Sequence, residues 1–168
     1  MIRYLLILVF LCFGMIGCNT KKDEKAKQEK EVVEKKEEKY IYDYSLLLKP
    51  NETKNLESLL KEISSESVEY VFCSINNEGQ ESIDNISEKY FNSLDVGNNN
   101  YSNRVLIIVS VMTRDFKIVL GKNINETISE GELLDINSKV ISYFKESKFY
   151  EGLNFAFNEL NKKLIKAV

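Results

Sequence analysis

Residues 104–121, RVLIIVSVMTRDFKIVLG, contain the stretch that decides the fold. Residues 105–111 form a run of strand length that is apolar on both faces, which places it inside a sheet rather than at a solvated edge. The turn MTRD and a second β-rich run, FKIVLG, follow at once. Because the connection is so short, the two runs predict an antiparallel hairpin.

Strand and helix patterns alternate before this hairpin. Residues 40–43 and 68–75 predict strands, and Pro50 predicts the first turn of a helix between them, where a missing N–H does no harm. A strand, helix, strand segment predicts a right-handed parallel crossover. Two apolar stripes at helical spacing predict this helix and another before the hairpin: Leu56, Leu59, Leu60 and Ile63, then Ile83, Ile86, Tyr90 and Leu94.

Two further helices are predicted after the hairpin. Ser129 and Glu132 have the spacing of a capping box, so a helix should start there, and the last helix should begin near Phe149. Their apolar stripes are Leu133, Ile136, Val140 and Phe144, then Leu153, Ala156, Phe157, Leu160 and Leu164. The prediction is an α/β fold in which a mixed sheet is flanked by helices.

The composition excludes several classes of function. The 168 residues include no histidine, which removes the usual general base, the usual zinc ligand and every imidazole-dependent triad. From Tyr40 onward there are 14 basic and 19 acidic residues, a balance near −5. We therefore expect no nucleic-acid partner, since phosphate binding needs a concentrated basic face. An acidic domain also gains nothing from anionic lipid, so membrane attachment would have to come from the N-terminus.

The N-terminus has the pattern of a secreted, lipidated protein. Residues 1–17 combine an early Arg3 with an apolar run too short to span a bilayer comfortably, which predicts a signal peptide. Residues 15–18, MIGC, resemble the lipobox of bacterial lipoproteins, in which Cys18 would become the lipidated N-terminus carrying acyl chains such as palmitate. The alternative is an uncleaved anchor helix with an unmodified Cys18. Either way we expect attachment to the cell membrane or the outer membrane, with the domain outside the cytoplasm.

Residues 18–39 predict a tether between that anchor and the domain at residues 40–168. The run after Cys18 is mostly lysine and glutamate, with almost nothing to bury, and as a coil its r.m.s. reach is roughly 25 Å. A spacer fits its balanced charge better than a binding role. The remaining thiol, Cys73, lies in an apolar strand, which predicts an inert core residue rather than a nucleophile.

Three local strings occur in order along the chain: YIYDYSLLLKPNE, VLIIVSVMTRDFKIVLG and FKESKFYEGL. Together they resemble the TPM domain family, over residues 40–164. The first matches the family's opening pattern at Asp43, Leu48, Pro50 and Glu52. The hairpin, with its arginine turn and closing glycine, is also similar, and FKESKFYEGL matches at Phe144, Tyr150, Gly152 and Leu153. The resemblance implies an α/β/α sandwich, and it implies a role in membrane-protein maintenance, weak acid phosphatase activity or divalent-ion binding.

The family's acidic positions carry over only in part. Asp43 is retained unaltered, and Ser129-Glu130 stand where the family has Thr-Asp. Residues 102–104, SNR, replace Asp-Asn-Gly, and residues 121–123, GKN, replace Gly-Tyr-Gly. Leu46 replaces a family glycine, which predicts tighter and drier packing at that bend.

Asp43 and Glu130 are therefore the candidate ligands of a divalent cation, calcium or magnesium, that could activate water for phosphate-ester hydrolysis. Asp95, Asp115 and Glu126 lie near predicted loop ends and are further candidates, although a solvated loop or cap explains each. For Asp43 the alternative is a carboxylate that accepts backbone N–H bonds at the bend. Ser129 is a helix cap rather than a nucleophile, because no base is available to it.

Two hypotheses of function follow. The first is a membrane-anchored envelope lipoprotein whose domain is a binding, assembly or maintenance factor for membrane proteins, with an envelope protein as partner. The second is a weak divalent-metal-dependent acid phosphatase. The depleted acidic positions favour the first.

Overall fold

The computed structural model describes residues 39–65, 67–79, 81–94 and 101–165. The predicted signal peptide, the predicted lipidation of Cys18 and nearly all of the predicted tether lie outside these residues, so all three stay predictions. Within the described residues no helix is both long enough and apolar enough to span a bilayer.

One four-stranded sheet forms the centre of the domain, with strand order β1-β2-β3-β4. The strands are β1 (Ile41–Asp43), β2 (Glu69–Ile75), β3 (Arg104–Ser110) and β4 (Asp115–Leu120). β1 and β3 both pair with β2 in parallel, while β4 pairs with β3 antiparallel. The predicted parallel crossover and hairpin are confirmed. All seven residues of β3 are buried, as its two-sided apolar pattern indicated, but Val111 lies outside the strand and is exposed.

Among the described residues four helices flank the sheet: α1 (Pro50–Ile63), α2 (Ile83–Ser93), α3 (Glu130–Lys145) and α4 (Phe149–Ile165). Short 3₁₀ turns occupy Tyr101–Asn103 and Asn125–Thr127. Pro50 opens α1 and the Ser129 capping box opens α3, both as predicted. Ser82 caps α2 by accepting a hydrogen bond from the Asn85 N–H at 3.3 Å.

Three helices cover one face of the sheet. The Tyr70 ring of β2 packs edge-on against Phe157 of α4 at 6.2 Å between centroids, and Phe116 of β4 packs against Phe144 of α3 at 5.5 Å. Tyr70 and Phe116 point to the same side, since they pair with Val105 and Val109 of β3. Because α1 packs on α4, the layer consists of α1, α3 and α4.

α2 covers the opposite face. Lys117 of β4 donates to Asp84 Oδ1 near the start of α2 at 2.5 Å, and Arg104 of β3 donates to the carbonyl of Phe91 near its end at 2.8 Å. Lys117 and Arg104 are the strand neighbours of Phe116 and Val105, which face the α1, α3 and α4 layer. Because successive side chains of a strand alternate between faces, Lys117 and Arg104 face the opposite side. The predicted mixed sheet flanked by helices, an α/β/α sandwich, is therefore confirmed.

Candidate functional site

The carboxylate of Asp43 closes the bend between β1 and α1. Its Oδ1 accepts a hydrogen bond from the Leu47 N–H at 2.9 Å, and its Oδ2 accepts one from the Leu48 N–H at 3.0 Å. The hydroxyl of Ser74, on the neighbouring strand β2, also donates to Oδ1. Charge-assisted bonds of this kind are the stronger ones in proteins, so Asp43 fixes where the chain turns away from the sheet.

Ser74 connects this carboxylate to a second serine. The Ser74 side chain is fully buried, and its oxygen accepts hydrogen bonds from the Ser45 hydroxyl at 2.5 Å and from the Ser45 N–H at 3.1 Å. Ser45, Ser74 and Asp43 thus form a short chain of hydrogen bonds that ends on the carboxylate. Sequence reasoning missed both serines, because their relation depends on the pairing of β1 with β2.

The tip of this bend contradicts the expectation of drier packing. Leu46 has a φ of 53°, in the left-handed region, and 85% of it is exposed. A leucine rarely adopts this conformation, whereas glycine adopts it without steric cost. The family glycine thus corresponds to a backbone requirement that this chain meets with an exposed apolar side chain. The prediction was wrong because burial was inferred from residue type without the φ angle.

The structure does not bring Glu130 to Asp43. Asp43, Ser74, Val109 and Phe116 lie in one row across the four strands. Phe144, near the end of α3, packs against Phe116, so the end of α3 lies at the Asp43 end of the sheet. Glu130 is the first residue of that helix, 14 residues and about 21 Å of helix from Phe144 at ~1.5 Å per residue. A shared cation has no geometric support, and ion binding at either residue stays a prediction.

The other acidic candidates add no ligand cluster. Asp115, the first residue of β4, and Glu126, in a 3₁₀ turn, are both exposed, and Asp95 lies outside the described residues. Across residues 39–65, 67–79, 81–94 and 101–165, no three acidic or cysteine side chains converge as metal ligands.

Ser129 and Cys73 have the roles that the sequence indicated. The Ser129 N–H and hydroxyl donate to Glu132 Oε2 at 3.0 and 2.8 Å, which completes the cap of α3. Lys163 of α4 donates to the other oxygen of Glu132 at 2.6 Å. Cys73 is fully buried, and its desolvation, followed by the nearby charge of Asp43, raises the pKa of the thiol to about 12. A thiol so rarely ionised is a poor nucleophile.

Arg104, which stands at a family glycine, is a buried structural cation. Its side chain has no exposed surface, and its Nε donates to Glu69 Oε2 at 2.8 Å. Its Nη1 donates to the carbonyls of Phe91 and Leu94, at 2.8 and 3.2 Å. These bonds join the start of β3 to the end of α2, so the cation serves the fold.

Four exposed apolar side chains follow the carboxyl ends of β1 and β3, and we call them the carboxyl rim: Tyr44, Leu46, Val111 and Met112. Tyr44 and Val111 follow the ends of β1 and β3, and their N–H groups donate to the carbonyls of Ser74 and Ile75 on β2 between them. The exposed fractions are 56% for Tyr44 and 64% for Met112. The sequence signal for these exposed residues was the run VMT in the hairpin turn, since turns usually contain polar residues and this one contains two apolar ones.

The fold and this site define a class of protein, the helix-flanked mixed-sheet domains whose first strand ends in a bend-closing carboxylate. The family model described as the TPM domain matches residues 41–163, and the chain belongs to the TPM domain family. The resemblance that the sequence suggested is confirmed. No curated protein matches the chain.

Three solved structures share the fold. The N-terminal domain of a protein from P. gingivalis is 21% identical with a TM-score of 0.64, over 76% of this chain and 82% of that one. The BA42 protein from Bizionia argentinensis is 22% identical with a TM-score of 0.62, over 71% and 83%. The N-terminal domain of cg2496 protein from Corynebacterium glutamicum is 12% identical with a TM-score of 0.56, over 80% and 84%.

Proposed function

We propose that this TPM domain is a membrane-tethered, non-enzymatic binding factor that takes part in the assembly or maintenance of envelope membrane proteins. The observation that supports it most is the carboxyl rim beside a carboxylate already engaged by the fold. Both carboxylate oxygens of Asp43 already accept hydrogen bonds, from the Leu47 and Leu48 N–H groups and the Ser74 hydroxyl. Asp43 is therefore poorly placed to hold a catalytic ion.

Leu46 argues for binding rather than for stability. A non-glycine residue in the left-handed region destabilises the fold by on the order of 1 to 2 kcal/mol. Because the Leu46 side chain is exposed, its burial does not offset that cost. Backbone strain that the fold over-determines is concentrated at functional sites. Here the Asp43 bonds to Leu47 and Leu48 hold the strained bend at which Leu46 is exposed.

The partner that fits this rim is an apolar segment of a membrane protein, exposed on the outer side of the membrane. Burying these four exposed apolar side chains against other apolar surface lowers the free energy, because it removes apolar area from water. The chain's own tether cannot supply that surface, since residues 19–39 are almost all polar. The chain also joins the domain at Lys39, before β1, whereas the rim follows the other end of that strand.

The proposed anchor is lipid on Cys18, after removal of residues 1–17. Metabolic labelling with a radioactive fatty acid should label the wild-type chain and not Cys18→Ser. An equally labelled Cys18→Ser chain, or an unlabelled wild type, would reject this anchor.

The binding role is tested in cells that lack the gene and are complemented with full-length variants. Deletion should cause a loss of membrane-protein complexes, and Leu46→Asp combined with Met112→Asp should reproduce that loss. Leu134→Asp is the matched control, because Leu134 lies on α3 and is 64% exposed, the same fraction as Met112. A photo-crosslinker at position 46 should capture a membrane protein, and that product should disappear in Met112→Asp.

Three results would contradict the proposal. One is a double variant that supports complexes as well as the wild type while remaining folded. Another is a crosslink at position 46 only to a second copy of this chain. The third is phosphoesterase activity that accounts for the deletion phenotype.

A further inference from the structure

A groove on the outer side of the α3 and α4 pair carries a second, polar surface that shares no residue with the carboxyl rim. It has a volume of about 450 Å³ and runs along α4 from Tyr150 to Lys162, with Tyr143 of α3 on its flank. Small-molecule sites have volumes of ~300 to 1,000 Å³, so the groove is large enough for one.

The groove combines aromatic rings with side-chain amides. The rings of Tyr143 and Phe155 lie 6.0 Å apart, tilted by 43°, and both residues are only partly buried. Asn154 and Asn158 follow one another by one helical turn on the same surface. An aromatic face packs well against apolar C–H groups, while an amide can both donate and accept hydrogen bonds.

The two asparagines are bonded along α4, with Asn154 Nδ2 donating to the Tyr150 hydroxyl at 3.4 Å, but their residue type does not favour a helix. Asparagine is among the less favourable residues in a helix interior, and α4 has it at both positions. Asn158 Nδ2 donates to the carbonyl oxygen and to Oδ1 of Asn154, at 2.8 and 3.1 Å. Within the described part of the chain no hydrogen bond reaches Asn158 Oδ1, which leaves that acceptor available in the groove. Asn161, by contrast, has a structural partner in the hydroxyl of Tyr70.

The charged side chains of the groove are largely compensated. Glu151 and Glu159 lie along it, Lys162 donates to Glu159 at 2.6 Å, and Lys139 lies over the ring of Tyr143 at 5.6 Å. Since Lys162 pairs with Glu159, and Lys139 lies outside the lining at the Tyr143 flank, Glu151 is the one acid of the lining without a basic partner in it, and the net charge is small. The suited ligand is neutral, has many hydroxyl groups and presents one apolar face.

We infer that this groove binds a neutral saccharide, with Phe155 and Tyr143 packing against the C–H face of a pyranose ring and Asn158, Asn154 and Glu151 bonding its hydroxyl groups. A wall glycan and a glycolipid head group both offer this chemistry.

The test uses the isotope-labelled full chain in detergent and follows the side-chain amide resonances of Asn154 and Asn158 by NMR. The N-acetylglucosamine trisaccharide and maltotriose are the sugar probes, and tetramethylammonium is the cationic one. At least one sugar should shift both resonances saturably, and Asn158→Ala should weaken that binding at least tenfold. The matched control is Asn92→Ala, because Asn92 on α2 makes the same one-turn bond, to Glu88 O at 3.0 Å, outside the groove. Binding to Asn92→Ala should stay within twofold of the wild type.

Glu151→Gln, at an exposed position, provides a second variant that cannot act by unfolding the helix pair, and it should also weaken binding. Pelleting with insoluble wall glycan and with glycolipid vesicles then identifies the source of the sugar. The inference is overturned if neither sugar shifts the two resonances up to about 50 mM, well above the ~1 mM dissociation constant of a weak complex. It is equally overturned if the three variants bind alike, or if tetramethylammonium binds more tightly than both sugars.

Discussion

The hydroxyl of Ser74 donates a hydrogen bond to the carboxylate of Asp43 across the parallel pair β1 and β2. This bond joins the bend that precedes α1 to the centre of the sheet. Asp43, the acidic residue of the family pattern that this chain retains unaltered, therefore has a structural role here.

Loss of the Asp43 carboxylate should destabilise the domain. Asp43→Ala removes the acceptor for the Leu47 and Leu48 N–H groups and for Ser74, and we expect a loss of about 2 to 4 kcal/mol in the free energy of unfolding. Asp43→Asn keeps one carbonyl acceptor and should lose less. Urea denaturation measures both, with Glu130→Ala as an exposed acidic control that should change stability by less than about 0.5 kcal/mol. An Asp43→Ala chain as stable as the wild type would show that these bonds contribute nothing.

Substitution by glycine should have opposite effects at the two exposed leucines. Leu46→Gly relieves a positive φ and should stabilise the domain by roughly 0.5 to 1 kcal/mol, while it weakens partner binding. Leu134→Gly places glycine inside α3 and should destabilise by about 1 kcal/mol. Thermal unfolding of both variants gives the comparison. If Leu46→Gly also lowers the unfolding temperature, the bend holds no relievable strain.

If Asp43 and Glu130 bind divalent ions, they should do so as two independent sites. Because about 21 Å of helix separates Glu130 from the Asp43 end of the sheet, the effects of Asp43→Asn and Glu130→Gln on ion affinity should add. Calorimetric titration with calcium, magnesium and manganese tests this, alongside hydrolysis of a phosphate monoester compared with Asp43→Ala. A strong coupling in the double variant, or hydrolysis that depends on Asp43, would restore the shared-ion hypothesis and the phosphatase.

The cap of α3 should resist moderate acid. Hydrogen bonds, first from Lys163 and then from Ser129, lower the pKa of Glu132 from 4.5 to about 2. A carboxyl group with a lowered pKa contributes stability that is present above its unfolded pKa and is lost as the pH falls through its folded pKa. The contribution of Glu132 should therefore be complete above about pH 4.5 and disappear toward pH 2. Glu132→Gln should flatten the stability of the chain over that window, and a profile identical to the wild type would contradict the assignment.

The buried pair of Arg104 and Glu69 should be far more sensitive than an exposed pair. Arg104→Met removes the donor to Glu69 Oε2 and to the carbonyls of Phe91 and Leu94, and should cost about 3 to 5 kcal/mol. Lys117→Met, which breaks the exposed pair with Asp84, should cost less than about 1 kcal/mol. Chemical denaturation of the two variants measures the difference. Equal losses would mean that Arg104 is not the structural cation described above.

Local pattern was enough to predict the elements of the fold. The two-sided apolar run at residues 105–111, the proline at position 50 and the Ser129 capping box identified β3, α1 and α3, with only Val111 assigned to the wrong environment. These signals act within a few residues, so they are readable in one sequence. The family pattern likewise identified Asp43 as the residue to examine.

The site depended on relations that no local pattern contains. The pairing of Asp43 with Ser74 comes from the register of two strands 31 residues apart in the chain, and the separation of Glu130 from Asp43 comes from the packing of Phe144 on Phe116. The left-handed φ of Leu46 follows from bonds that the folded bend imposes. The sequence by itself determined which segments become strands and helices, because periodicity, caps and turn residues are short-range. Only the tertiary structure decided that Asp43 holds a bend under an exposed apolar rim, because strand register and helix packing are set by contacts between distant parts of the chain.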